Sequence, residues 1–300
     1  MAKANTPFYA ILLVLCMSTA AQAEEPARVL AELKYNPEHS TRLKYRGLRI
    51  TLSNKPVFIS GRSEPDHYRL SVVGRHRNRL AFTMHVDDDY DSPPTPQPTV
   101  QVMWLDRTSP LPQIVFTHSE DGGNCCNNAS IATMDAAGHW RVIETGGLQR
   151  DFKYEFLDLD GDGAAEMVSK GFFRYTNCAV YWCEGGFCVV TTIEKLIGRQ
   201  LRDVSKAKRY RSFQRERLRE AEDAADEERM HLNGFLAGWV AQKALAGELS
   251  DAWRTMLANY DHSEEDFPET LANDLRSSGF ITPKEEDRIV LLSASRAARP

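Results

Sequence analysis

The sequence predicts an α+β protein: an N-terminal β-sheet domain followed by a C-terminal α-helical region. Three observations carry that expectation. From Arg42 onward, short runs rich in Val, Ile, Leu, Tyr and Phe are punctuated by Gly, Asp and Pro. Near residue 200 the character changes, and 205–230 is charged, rich in Ala, Arg and Glu, and poor in β-branched residues. A hydrophobic content of 42% over 300 residues is enough for one large or two modest domains with a real core. The expected division is 1–23 as a signal peptide, 24–200 as the β domain and 201–300 as the α-helical region.

Residues 1–23 carry Lys3, an apolar run from Phe8 to Met17, and Ala21-Gln22-Ala23. Charge, short apolar stretch and small-residue cleavage motif spell a secretory leader, too short to span a bilayer. The expected destination is periplasmic or secreted. After cleavage no stretch is long and apolar enough for a transmembrane segment. The formal net charge of −5 argues against nucleic acid as a partner.

Residues 27–34 allow a short helix. Strands are expected over 42–52, 56–60, 67–73 and 79–86, with Gly61 and Gly74 as punctuation. The acidic run Asp87-Asp88-Asp89-Tyr90-Asp91 and the prolines from Pro93 to Pro98 then forbid regular structure. The acids are expected as a solvated loop, with a second cation site as the sharper alternative. Val100-Gln101-Val102-Met103-Trp104 alternates as a strand, and Gln113-Ile114-Val115-Phe116 follows a turn. Residues 129–134 and 139–145 are expected to form a hairpin around Asp135-Ala136-Ala137-Gly138. Further strands are expected at 179–183 and 187–193, joined by Glu184-Gly185-Gly186.

Within the β domain, Asp158-Leu159-Asp160-Gly161-Asp162-Gly163-Ala164-Ala165-Glu166 stands out. Calcium takes six to eight hard oxygen ligands in a flexible shell. Asp158, Asp160 and Asp162 alternate, so their carboxylates can turn toward one centre. Gly163 permits the sharp bend, Ala164 can offer its carbonyl, and Glu166 closes the shell. The expected metal ligands are therefore Asp158, Asp160, Asp162, Ala164 and Glu166, and the expected cofactor is Ca2+. The absence of His and Cys from the loop argues against a transition metal. A metal-free polar turn is the plain alternative, since Asp-Gly pairs are ordinary turn formers.

The loop is not an EF-hand, because Ser169 stands where that motif needs a bidentate Glu, and both flanks read as strands. An aspartate loop between strands, closed by Glu166, resembles the FG-GAP (or VCBS-type) repeat of integrin-like β-propellers and of many exported bacterial proteins. The resemblance implies a structural cation and β-propeller-blade-like units. A weaker copy lies upstream: Trp104-Leu105-Asp106 followed by Gln113-Ile114-Val115 parallels Phe156-Leu157-Asp158 followed by Glu166-Met167-Val168. Strand, aspartate, loop, strand occurs in both, as in a diverged internal repeat. The Gly-Gly-x-Cys-Cys loop at 122–126 also resembles exported bacterial proteins that carry calcium-loop repeats.

Five cysteines lie beyond the leader: Cys125, Cys126, Cys178, Cys183 and Cys188. In an oxidising compartment they suggest structural disulfides, with at least one of the adjacent pair bridging to the later group; a zinc or redox site is the rival. Helices are expected over 205–230, with Tyr210, Phe213, Leu218, Ala221 and Ala225 in one stripe, then over 232–240, from Ser250, over 268–277, and from Pro283.

No nucleophile elbow, H-E-x-x-H or P-loop is present. His118, beside Ser119, Glu120 and Asp121 and near Cys125 and Cys126, is the best collection of acid–base groups. Two functions stay open. The first is a calcium-stabilised, non-catalytic exported protein that binds a protein or envelope component. The second is an exported hydrolase whose site is dispersed in the sequence.

Overall fold

The computed structural model describes residues 25–36, 38–57, 67–86, 97–122, 125–149, 152–172, 189–224, 233–262 and 265–297. They form four stacked layers, three antiparallel sheets and then helices. The expected α+β class holds, while the propeller-like expectation is not met by any closed ring of blades among the described residues.

The outer sheet is a four-stranded meander of β3 (Thr41–Tyr45), β4 (Leu48–Val57), β5 (His67–His76) and β6 (Arg79–Val86). The strand expected over 42–52 is really two, broken at Arg46-Gly47. Both residues take positive φ, 44° and 81°, which is what a two-residue hairpin matched to strand twist requires. An arginine at the first of these positions hides the turn from sequence reading.

The middle sheet runs β10 (Trp140–Glu144), β9 (Cys125–Met134), β8 (Gln113–Gly122), β7 (Thr99–Met103) and β2 (Ala31–Lys34), with β11 (Leu148–Gln149) pairing on β9. Residues 31–34 are thus a strand rather than part of a helix. Their alternation places Leu33 in the core, and β7 supplies the pairing that a sequence reading cannot see. The expected hairpin around Asp135 to Gly138 forms, with Asp135 and His139 bonding across it.

The inner sheet runs β1 (Glu25–Pro26), β12 (Tyr154–Asp158), β13 (Glu166–Phe172), β14 (Val189–Ile197) and β15 (Gln200–Asp203). It reaches just past the expected boundary at residue 200. The expected strand at 179–183 lies outside the described residues, as do the leader, the Asp87–Asp91 run and the side chains of all five cysteines beyond the leader.

The period-two alternation of strands assigns successive side chains to different cores. Ile114 and Phe116 join Val100 and Val102 against Leu48, Ile50, Val72 and Met84 of the outer sheet. Val115 lies between them in sequence and faces the other way, with Met103, Leu105 and Ile131 against Met167 and Leu196 of the inner sheet. Val168 and Ile193 present the far face of the inner sheet to Tyr210 and Phe213.

The helical layer comprises a short 3-10 turn at Lys208–Tyr210, α1 (Arg211–Ala224), α2 (Asn233–Leu245), α3 (Leu249–Asn259), α4 (Phe267–Ser277) and α5 (Pro283–Ala297). None of the described helices is long and apolar enough to cross a membrane. Gly247 and Gly279, at φ 82° and 78°, follow α2 and α4 in the left-handed conformation that ends a helix. Thr282 and Glu285 form a reciprocal capping box around Pro283 at the start of α5. Of the expected stripe, Tyr210, Phe213 and Leu218 are buried.

Helices α2 to α5 build their own core around Trp253, Phe267 and Leu271, and Val190 of β14 enters it. A polar relay fastens the two layers. Thr191 N–H donates to Gln242 Oε1 at 2.8 Å, and Gln242 Nε2 donates to Gln214 Oε1. All three residues are buried. Gln242→Ala strands the Thr191 amide and the Gln214 carbonyl, and should cost about 1–3 kcal/mol in urea unfolding. A variant as stable as the parent would show that the relay does not fasten the layers.

Candidate functional site

The acidic loop joins β12 to β13 at the end of the inner sheet, where that sheet meets the 3-10 turn. Its backbone is folded by its own carboxylates. Asp158 Oδ2 accepts from Gly163 N at 3.0 Å, and Asp160 Oδ1 from Asp162 N at 3.4 Å. Asp162 Oδ1 accepts from Ala164 N at 2.8 Å, and Glu166 Oε2 from Leu159 N at 2.9 Å. Gly161 and Gly163 take φ of 72° and 79°. A side chain at Gly163 would also strike the Arg107 guanidinium, 2.9 Å from where its Cβ would lie.

Each acid thus spends one oxygen on the loop and keeps one. Three of the kept oxygens meet at Lys195, a residue of β14 that sequence reading missed. Its Nζ lies 2.8 Å from Asp160 Oδ2, 2.7 Å from Asp162 Oδ2 and 2.7 Å from Glu166 Oε1. An ammonium has three donors, and here all are used. The fourth kept oxygen, Asp158 Oδ1, is buried without a hydrogen-bond partner among the described residues. One oxygen from each of Asp158, Asp160 and Glu166 lies within 4.8 Å of the other two. The carboxylates of Asp158, Asp160, Asp162 and Glu166 therefore gather at the loop, while Ala164 is buried with its N–H committed to Asp162.

The 3-10 turn closes the site. The Tyr210 hydroxyl lies 3.0 Å from Glu166 Oε1 and 3.2 Å from Asp160 Oδ2. Arg209 adds a second cation 3.2 Å from Asp160 Oδ2. Burial alone would lower the Lys195 pKa, but the hydrogen bonds it donates to Asp160, Asp162 and Glu166 outweigh it and hold the ammonium protonated well beyond the lysine range. Burial raises the Asp160 pKa, but Lys195, the Asp162 amide and Arg209 together bring it below the usual carboxylate range. Burial and the charge of Glu166 push the Tyr210 phenol up.

The weaker upstream copy is the informative contrast. It too is an antiparallel strand–loop–strand, β7 to β8, and it packs on the first: Ala165 N donates to Trp104 O at 2.7 Å. Gln113 occupies the position of Glu166. Its Oε1 accepts from Leu105 N at 2.7 Å and Asp106 N at 3.0 Å, much as Glu166 takes Leu159 N. Both side chains are 0% exposed. Asp106 is satisfied by Thr108 and by Gly198 N. One loop is braced by a neutral amide, and its aspartate is met by neutral donors. The other is braced by a carboxylate and has a counter-charge in Lys195.

His118 is a core residue. It is 7% exposed, stacks on Phe116 with centroids 5.0 Å apart, and its Nδ1 has no hydrogen-bond partner among the described residues. Burial lowers its pKa to about 4, so it is neutral near pH 7. The side chains of Glu120, Asp121, Cys125 and Cys126 lie outside the described residues.

Lys195→Met leaves the carboxylates around a buried Glu166 uncompensated, and should cost about 3–5 kcal/mol in chelator-containing buffer. Adding Glu166→Gln should recover part of the loss, because Gln113 performs the same bracing as an amide. Urea midpoints of the two variants check this; a double variant no more stable than the single one would refute it. His118 favours the neutral form when folded, so its contribution is full above its ordinary pKa of 6.5 and fades as pH falls from there toward about 4. His118→Leu should flatten the melting temperature across that window.

Residues 211–286, from the start of α1 into α5, match the family described as the sll0997 C-terminal domain. The protein named "Probable thylakoid lumen protein sll0997" from Synechocystis sp. is 29% identical over 204 residues, covering 65% of this chain and 56% of its own length. The protein named "Uncharacterized protein y4bJ" from Sinorhizobium fredii is 34% identical over 194 residues, 64% of this chain and 30% of its own. The chain thus spans well under two thirds of each of these curated relatives. No solved structure matches.

Proposed function

We propose that this is an exported, non-catalytic scaffold whose acidic loop takes up Ca2+ in exchange for the Lys195 ammonium. One observation carries the reading: Asp158, Asp160, Asp162 and Glu166 each brace the loop with one oxygen and leave a second one over. Such a loop is folded before any ion arrives, and its spare oxygens are the hard donors calcium prefers. The FG-GAP-like spacing supports the same ligands, with the Ala164 carbonyl as a further donor. The leader-like residues 1–23 and the printed name of the Synechocystis relative support export. In this reading ion uptake fixes the junction between the inner sheet and the helices, and the rigid assembly presents its surface to an envelope component.

A second reading is favoured by Lys195 itself. With all three donors on carboxylates, it can serve as a permanent internal cation, and the loop is then a metal-free fastening.

Calorimetric calcium titration of the protein and of Lys195→Met separates the two. Exchange predicts that calcium raises the parent's melting temperature, restores that of Lys195→Met, and binds the variant more tightly because its competitor is gone. Asp160→Ala should weaken binding and stability together. No heat with either the parent or Lys195→Met, and melting curves indifferent to chelator, would leave the metal-free fastening.

A further inference from the structure

The outer sheet bears a feature that the acidic loop does not explain. The chain is acidic overall, yet residues 41–57 and 67–86 contain no Asp or Glu. Their cations crowd the end of the sheet that carries the two tight turns. Lys44 lies directly across from Arg49, Arg49 directly across from Arg75, and Arg75 directly across from Leu80. One row therefore crosses four strands. Lys44, Arg49 and Arg75 alternate with the buried Leu48, Ile50 and Gly74 and so face away from the core. Leu80 ends the row at a bulge, where it also borders a cleft with Pro110, Met134 and Trp140. All four side chains of the row are exposed, Leu80 at 63%. Arg46 and Arg77 sit in the turns beside the row, and Arg79 follows them.

This arrangement works against folding in two ways. Like charges directly opposite across strands repel. None of these cations forms an ion pair with a described residue; the relief is Arg49 donating to Asn78 Oδ1 at 3.2 Å and Arg46 lying over the Tyr45 ring. In addition, Arg46, Arg77 and Asn78 are the non-glycine residues with positive φ among those described, at 44°, 51° and 66°, and all three lie on this rim. The hairpins need positive φ at these places, but they do not need arginine there, and unfavourable residue choices gathered with opposed like charges at one rim mark a functional surface.

We propose that this rim is a docking surface for an anionic phospholipid bilayer. Neighbouring strands lie about 4.8 Å apart, so the three cations span roughly 10 Å of open face, wider than one phosphate and suited to a field of headgroups. Basic side chains beside such a surface each add to the attraction. Leu80, exposed at the margin of the row, is placed to enter the acyl boundary, a contact that a bare phosphate backbone would not use. The negative charge of the rest of the chain turns the rim toward the membrane and the remainder away.

The test is vesicle co-sedimentation of the full chain, in chelator so that the calcium reading plays no part. The vesicles are phosphatidylcholine with and without phosphatidylglycerol. Binding is expected only with phosphatidylglycerol, falling as salt is raised. The triple variant Arg49→Gln, Arg75→Gln, Arg77→Gln should bind about 100-fold more weakly. Its melting temperature should match or exceed the parent's, because repulsion has been removed; a merely structural role would lower it. Leu80→Ser should weaken binding while keeping its salt dependence. Absent binding, equal binding to pure phosphatidylcholine, undiminished binding by the triple variant, or displacement by millimolar glycerophosphate would overturn the proposal. So would salt-sensitive self-association in place of vesicle binding.

Discussion

A buried carboxylate must be compensated, and in this protein that constraint lies at the joint between sheet and helix. Glu166 has no exposed surface, and the desolvated charge it carries is tolerable only because a cation stands beside it. Lys195 supplies that cation from the adjacent strand, and Tyr210 and Arg209 reach in from the first helical turn. Three separate stretches of chain thus meet at one cluster of charge. The loop is stiff because its acids fold it, and it is connected because three of their four remaining oxygens are held by other elements.

The layers make that joint necessary. Middle and inner sheets are each covered on both faces, so their strands serve two cores with alternate residues. Apolar packing holds sheet to sheet. Between the inner sheet and the helices the attachment is more polar: the Gln242 relay at one point, the Arg217 ion pair with Glu155 at another, and the acidic loop at a third.

The α+β class, the change of character near residue 200 and the loop's special geometry were legible in the sequence, because each depends on neighbours in the chain. Alternation in 100–104 and the glycines of 158–166 are local signals. Lys195 was not legible. It reaches Glu166 because β13 and β14 pair in a register that sets Met167 against Glu194, and nothing local encodes that register. The Arg46-Gly47 hairpin was hidden by an arginine in a conformation usually left to glycine or asparagine. The parallel between Gln113 and Glu166 could be seen as a repeat, but what the repeat does, bracing an aspartate loop from below, required the hydrogen bonds.

The two related loops give the molecule an order of dismantling in acid. The amide-braced one holds no charge at Gln113 to titrate. The carboxylate-braced one depends on Asp160 staying ionised, and its stabilisation is lost once pH falls through a pKa already below the ordinary carboxylate range. Strong acid should therefore free the helices first, as one cooperative unit, while the three sheets stay packed on one another. The chain carries one mechanical design twice, once as a fixed weld and once as a clasp that protons can undo.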